Sequence, residues 1–167
     1  MNSYLDFNKL FGLGFSDNLN KMTEEYFNKI VEEYYENHHD RMVIIIAGSE
    51  SDSIHCEVIQ KYLSGIYSKI YYASAHKHPE RVIQILDYYF KNPRKYIIIT
   101  CAGRSNALSG FVAARSPYPV IACPVFKDNT DMLVNIHSTI QMPSNVPVMT
   151  ILEPVNVGLA VKKILKL

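Results

Sequence analysis

The segment MVIIIAGSESD, residues 42–52, joins a continuous apolar run to a polar loop that begins at Gly48. The run is apolar at every position rather than at alternate ones, which is typical of a parallel strand buried on both faces of a sheet. A glycine at the end of such a strand permits a tight turn, and the serines and aspartate after it are residue types that cap helices. The segment therefore predicts a central strand, a turn and the start of a helix.

The same pattern recurs further along the chain. Four more β-rich runs, separated by segments of helical length, occupy residues 67–73, 96–101, 120–125 and 146–152. Strands that alternate with helices indicate a doubly wound parallel sheet with helices on both faces. We therefore expect an α/β fold in three layers, a flavodoxin-like sheet of about five strands, with one extra helix at the N-terminus.

Apolar residues at helical spacing mark the segments between the strands. One stripe covers residues 54–63, in a helix expected to begin near Ser53 and to stop at Gly65. A second stripe covers residues 82–90, and Pro79 suits the first turn of that helix. Two later helices are expected over residues 131–141 and 156–167.

The N-terminal part of the chain has a different pattern. Residues 22–39 place tyrosines, Phe27 and aliphatic residues on one helical stripe and five glutamates opposite, which predicts an amphipathic helix after an apolar arm. We therefore divide the chain into an arm and helix over residues 1–41 and a catalytic α/β domain over residues 42–167. The helix either covers an edge or helix layer of its own domain or contacts another subunit.

Composition excludes several classes of protein. The chain has 167 residues, 48% hydrophobic and 20% charged, which fits one globular domain. Its 17 Lys and Arg against 16 Asp and Glu give no basic field for nucleic acid or for a membrane surface. Three widely spaced cysteines do not form a disulfide framework, and no apolar run reaches the roughly 20 residues of a membrane span. A cytoplasmic location is the simplest expectation.

Three polar loops each follow a predicted strand directly. They are the first loop, GSESD at residues 48–52, the second loop, SAHK at residues 74–77, and the third loop, AGRSN at residues 102–106. Loops at the carboxyl ends of parallel strands converge on one crevice, where ligands of such sheets bind. Together they supply hydroxyls, a carboxylate, a histidine and two cations. This set suits a small phosphorylated molecule and the transfer of a proton.

The first loop has two possible roles. Ser49 and Ser51, with the amides of a helix N-terminus, suit a phosphate, and Asp52 suits the hydroxyls of a sugar. The alternative is helix capping alone, because Ser and Asp are common before helices.

The second and third loops carry the more distinctive side chains. His76 is suited to proton transfer near neutral pH, beside the ammonium group of Lys77. Arg104 offers a forked donor for a carboxylate or a phosphate, or else faces solvent at a helix start, and Asn106 suits a ring substituent. Cys101 is expected to pack in the core rather than to act as a nucleophile.

These motifs resemble the phosphoribosylaminoimidazole carboxylase family of purine biosynthesis. The three loops occur in the family's order, followed by Gln-Met-Pro at residues 141–143, and the resemblance covers residues 42–167. Family members either carboxylate aminoimidazole ribonucleotide with carbon dioxide or, as mutases, move a carboxyl group from the exocyclic amine to the ring carbon. The resemblance implies one of these two reactions.

The subclass follows from details of the motifs. Lys77, the third loop and the His55-Cys56 pair resemble the direct carboxylases, whereas mutases have arginine after Ser-Ala-His and a third loop with its own histidine. Residues 141–148 look closer to the mutase type, and Asn145 and His78 stand where glycine is usual. We therefore expect the carboxylase, with the mutase as the alternative.

The resemblance also implies roles for individual residues. His76 would move the proton of the ring carbon, and Asp52 would bind the ribose. Phosphate would bind to Ser49, Ser51 and Lys77, beside Ser74 and Ala75, and the base and carboxylate end would be lined by Gly103, Arg104, Ser105 and Asn106. No metal or other cofactor is required, and the family forms homo-oligomers, tetramers or octamers.

Two rival hypotheses belong to other classes. A non-catalytic flavodoxin-like or receiver-like module has the same sheet pattern. However, a receiver needs an aspartate where Cys101 stands, and a flavodoxin needs a threonine-rich phosphate loop. A silent paralogue that only binds a nucleotide is the other rival, and the presence of His76 argues against it.

Overall fold

The computed structural model describes Lys29, residues 40–92 and residues 94–166. Its sheet has five strands, all parallel, in the order β2-β1-β3-β4-β5. This is the strand order of flavodoxin-like folds, so the predicted fold class is confirmed. The strands are β1 Arg41–Ala47, β2 Tyr67–Tyr72, β3 Lys95–Cys101, β4 Val120–Ala122 and β5 Met149–Thr150.

Helices connect the strands in the expected alternation. A single 3-10 turn, Glu50–Asp52, leads from the first loop into the first helix. The helices are α1 Ser53–Tyr62, α2 Pro79–Phe90, α3 Ala107–Ala113, α4 Asn129–Asn135, α5 His137–Ile140 and α6 Pro154–Leu165. No helix in this part of the chain has the length and apolar character of a membrane span.

The two faces of the sheet carry two separate cores. Ile44 and Ile46 of β1 pack in one cluster with side chains of α2 and α3. Val43 and Ile45 point the other way, into a cluster with side chains of α1 and α6. Residues 42–47 are all at most 1% exposed, which is why β1 is apolar at every position after Arg41. The layers are therefore helix, sheet and helix.

The later elements differ in length from the sequence prediction. β4 ends at Ala122, because it pairs with only three residues of β3, and β5 pairs with only two residues of β4. The helix expected over residues 131–141 is two short helices. Asn135 Nδ2 donates to the Asp131 carbonyl at 3.0 Å, and such a bond from a side chain to the backbone competes with helix continuation. The last helix begins earlier, at Pro154, because proline suits the first helical turn.

The predictions for residues 1–41 fall almost entirely outside the described residues. Lys29, within the expected amphipathic helix, is helical. The role of that helix and the division of the chain at residue 41 stay predictions.

Candidate active site

The three loops meet in one cleft of about 290 Å³ at the carboxyl end of the sheet. Gly48, Ala102, Ala107 and Leu108 form part of its wall. Every predicted site residue lines the cleft as well: Ser49, Ser51, Asp52, Ser74, Ala75, His76, Lys77, Gly103, Arg104, Ser105 and Asn106. The predicted convergence of the loops is therefore what the fold produces.

Backbone hydrogen bonds beyond the strand ends hold the loops side by side. The amide of Gly48 donates to the Cys101 carbonyl at 2.8 Å, and the amide of Ala73 donates to the Ala47 carbonyl at 2.8 Å. A Cβ atom at Gly48 would lie 3.3 Å from Ala102 Cβ, tighter than an ordinary contact. Glycine at this position therefore lets the first and third loops approach closely.

The first loop is held by its own side chains. The amide of Ser51 donates to Ser49 Oγ at 3.2 Å, and Ser51 Oγ donates to the same atom at 3.0 Å. Both serines are exposed at the cleft: Ser49 precedes the 3-10 turn, and Ser51 lies within it, shortly before α1. Ser49 thus caps the 3-10 turn, whereas Asp52, at the N-cap position of α1, makes no side-chain capping bond. Both serine hydroxyls lie near the N-terminus of a helix, where an anion is favoured.

Asp52 is the last residue of the first loop and directly precedes α1. Its side chain is partly buried, and this burial raises the pKa of Asp52, while a hydrogen bond with the main chain of Ser49 lowers it. A carboxylate that has lost part of its water gains from hydroxyl donors that replace that water. The position suits the diol of a ribose.

The second loop presents His76 and Lys77 as exposed side chains. Ser74 holds the turn, because its carbonyl accepts from the His78 amide at 2.9 Å and its Oγ accepts from the Lys77 amide at 3.3 Å. Among the described residues the imidazole of His76 has no hydrogen bond or ion pair, so both ring nitrogens are free for a ligand. His78 Nδ1 lies 3.7 Å from Glu80 Oε1, and both side chains are exposed.

The third loop is anchored from a distance. Asn106 is only 2% exposed, and its Oδ1 accepts from the amide and the hydroxyl of Ser109 at 3.3 and 3.1 Å. Its Nδ2 donates to Thr139 Oγ1 at 3.0 Å. The side chain therefore caps α3 and ties it to α5. These bonds use three of the four hydrogen-bonding positions of the amide, so contact with a substrate ring, as the sequence predicts, is left to the second N–H of Nδ2.

Ser105 gives the third loop its shape. Its φ angle is 55°, in the left-handed region that serine seldom adopts. The turn is closed by the Ala107 amide, which donates to the Ser105 carbonyl at 2.6 Å, and by the Asn106 amide, which donates to Ser138 Oγ at 2.9 Å. The surrounding bonds thus stabilise a conformation that costs free energy locally.

Arg104 stands at the rim of the cleft, 72% exposed. Its Nε lies 3.4 Å from Asp131 Oδ1, and a second cleft of about 450 Å³ lies on the Asp131 side of the same arginine. The amide of Lys127 donates to Asp131 Oδ2 at 3.0 Å, and this bond, followed by the contact with Arg104, lowers the pKa of Asp131. No sequence pattern indicates Asp131 as a site residue, because it is 27 positions from Arg104 and follows no strand directly.

The cysteines lie beneath the site and are all buried as free thiols. A hydrogen bond with Cys56 and burial raise the pKa of Cys101, and burial raises the pKa of Cys123 to about 12. Both shifts favour the protonated thiol, and Cys101, which is fully buried, packs in the core as predicted. The cysteines, histidines and acidic residues of the described part of the chain form no group of three suited to a metal ion.

His55 has a partner that the sequence pattern does not indicate. Its Nε2 lies 3.1 Å from Cys123 Sγ, across 68 positions of sequence. Burial lowers the pKa of His55, while a hydrogen bond with the main chain of Cys123 and the charge of Glu153 oppose this shift. The contact joins α1 to the end of β4 on the face opposite α2 and α3.

Comparison with known proteins adds an independent observation. A family model described as AIR carboxylase matches residues 42–167. The phosphoribosylaminoimidazole carboxylase of Archaeoglobus fulgidus is 45% identical over 126 residues, which span 74% of this chain and 68% of the relative. The enzyme of the same name from Treponema denticola is 41% identical over 128 residues, 75% of this chain and 80% of the relative. The crystal structure of Treponema denticola PurE superposes with a TM-score of 0.71 at 40% identity, covering 75% and 80% of the two chains.

Proposed function

The chain belongs to the AIR carboxylase family, and on that premise we propose that it carboxylates aminoimidazole ribonucleotide at the ring carbon. It is an enzyme of that family, and the family's place is in purine biosynthesis. The observation that carries the proposal is the cleft itself. It sets the imidazole of His76, which has no partner in the part of the chain that the structure describes, among hydroxyl, carboxylate and cationic groups from three strand ends.

For this reaction the protein needs to orient the two substrates and to accept one proton. The exocyclic amine makes the aminoimidazole an electron-rich enamine, so the ring carbon attacks carbon dioxide and a carbon–carbon bond forms. The proton on that ring carbon then leaves to His76, which restores the aromatic ring. No electron transfer is involved, and neither ATP nor biotin is needed. Orientation and general base catalysis supply the rate.

The roles of the binding residues are part of the same proposal. Ser49, Ser51 and Lys77 bind the phosphate, and Asp52 binds the ribose hydroxyls. This division is supported by the exposed hydroxyls before α1 and by the partly buried carboxylate beside them. Gly103, Arg104, Ser105 and Asn106 then border the base and the carboxylate, the last of these through the loop backbone that its side chain holds in place.

One assay tests the reaction and its nearest alternative. Purified protein receives aminoimidazole ribonucleotide and bicarbonate without ATP, and the ring-carboxylated product is followed by its ultraviolet absorbance. The carbamate isomer is then supplied under carbon-dioxide-free conditions. We expect product from the first mixture only. Product from the carbamate alone would mean the mutase, and product from neither would exclude both reactions.

We further propose that the enzyme acts as a homo-oligomer of four or eight copies in the cytoplasm. Large apolar side chains of α4 and α5 are exposed in the single chain, Leu133 at 67%, Val134 at 70% and Ile140 at 53%, which fits burial against another copy. Free buried thiols fit a reducing compartment. Light scattering gives the mass of the assembly, and the same measurement without residues 1–38 tests whether the N-terminal helix contributes. A monomer would contradict the proposal.

A further inference from the structure

The guanidinium of Arg104 is bound on one side only. Its Nε contacts Asp131 Oδ1 at 3.4 Å, which occupies the stem side of the fork. Within residues 40–92 and 94–166, its two terminal nitrogens have no hydrogen-bond partner. Arg104 lines both clefts, and its Nε contact lies on the side of Asp131. Its two terminal nitrogens are therefore available to bind a ligand in the cleft that contains His76.

Asp131 is itself held firmly, unlike its partner. Its side chain is 10% exposed, against 72% for that of Arg104. Oδ2 accepts from the Lys127 amide at 3.0 Å, and Oδ1 accepts from Asn135 Nδ2 at 2.8 Å. The carboxylate also sits in the first turn of α4, whose N-cap Asp128 accepts from the Asp131 amide at 2.8 Å. A fixed anion of this kind can define the position of a mobile cation.

We propose that Asp131 is a positioning residue, which holds Arg104 by Nε so that its terminal nitrogens bind the carboxylate being added to the ring. The inference rests on the proposed carboxylation. A guanidinium binds a carboxylate best through two parallel hydrogen bonds, and a fork with one fixed edge loses less conformational entropy when they form. Asp131 would act only through Arg104 and would not touch the substrate.

The kinetic test compares the two directions of the reaction. Asp131→Asn keeps the size of the side chain and an acceptor for the Lys127 amide, but removes the charge opposite Arg104. We expect KM for the ring-carboxylated nucleotide, measured in decarboxylation, to rise about threefold to fivefold, as for the loss of an exposed ion pair. KM for aminoimidazole ribonucleotide should change less than about 1.5-fold, because the unreacted substrate has no carboxylate. Asp87→Asn, at an exposed position of α2, is the control and should change neither value.

A double-mutant cycle separates positioning from a general effect on structure. In an Arg104→Ala background, Asp131→Asn should have no further effect, since residues that act as a pair are not additive. Equal effects of Asp131→Asn with and without Arg104 would overturn the inference, and so would equal rises in both KM values.

A second readout does not depend on activity. In the wild type, the Nε–H resonance of Arg104 should be sharp and protected from solvent exchange, and Asp131→Asn should remove this protection. An unchanged resonance would overturn the inference. If the wild type shows the protected resonance but neither carboxylates nor decarboxylates the nucleotide, the proposed function fails and the carboxylate role fails with it, while the fixed Arg104 is still measured.

Discussion

The first and third loops of the cleft lie side by side but are held in different ways. In the first loop, the side chains of Ser49 and Ser51 bond to each other's residue, two positions apart, and both residues are exposed. In the third loop, Asn106 is buried and bonds not only to Ser109, three positions away, but also to Ser138 and Thr139, more than 30 positions away. The exposed polar atoms of the first loop can therefore bind a ligand, whereas many polar atoms of the third loop already form hydrogen bonds that stabilise the loop. One cleft thus combines a locally built half with a half built by distant elements.

The largest effect is expected from His76, whose side chain takes part in the hydrogen bonds of neither loop. We predict that His76→Asn lowers kcat by a factor of about 10² to 10⁴, the usual contribution of a general base. Because the imidazole has no partner among the described residues, the free energy of unfolding should stay unchanged. Nucleotide affinity measured by calorimetry should stay within about tenfold.

The control for this variant is His78→Asn, two positions further on at the surface, which should keep full activity. Full turnover in the His76 variant would contradict the role of His76 as the base. A matching loss of stability would mean that the residue is structural.

The next test removes the same kind of hydrogen bond, from a backbone amide to a capping side chain, in each of the two loops. Asn106→Ala and Ser49→Ala each remove a side chain that accepts a backbone amide at the start of a helical turn. We expect Asn106→Ala to lower the free energy of unfolding by about 2 to 4 kcal/mol, because a cap is lost and Thr139 Oγ1 loses its buried donor. Ser49→Ala, at an exposed site, should cost at most about 1 kcal/mol.

Urea denaturation measures both values directly. Equal losses of stability in the two variants would contradict the distinction between a local and a distantly anchored loop.

The same distinction explains how far the sequence could be interpreted. Apolar runs predict the positions of the strands and the order of the layers. The rule that the carboxyl ends of parallel strands share one edge predicts that the loops meet, and the structure confirms these predictions. The short β4 and the break between α4 and α5 depend on pairing length and on the Asn135 side chain, which no periodicity reveals. Asp131 and Thr139 likewise become partners of the third loop only through the fold. Cys101 packs as predicted, because an apolar strand end already indicates burial.

A smaller effect is expected from Ser51→Ala, which tests whether the first loop binds the substrate. We expect Ser51→Ala to raise KM for aminoimidazole ribonucleotide about threefold to tenfold with little change in kcat, since one hydrogen bond to a charged phosphate is lost in ground and transition states alike. Steady-state kinetics under saturating bicarbonate give both constants. Ser64→Ala, at an exposed position beyond the far end of α1, is the matched control. A fall in kcat without a rise in KM would contradict a role in binding.

The smallest effect concerns the distant contact between His55 and Cys123. The pKa of His55 is lowered in the folded protein, mainly by burial, so below its ordinary value of about 6.5 the unfolded chain binds more protons than the folded one. As far as His55 determines it, the free energy of unfolding is therefore highest above about pH 6.5. It decreases as the pH falls through 6.5 towards the lower pKa that His55 has in the folded protein. His55→Gln should show a smaller loss of unfolding free energy between pH 7 and pH 5 than the wild type, measured by urea denaturation at each pH. Parallel curves for the two proteins would mean that His55 does not contribute, and the distant contact would then hold α1 without any pH dependence.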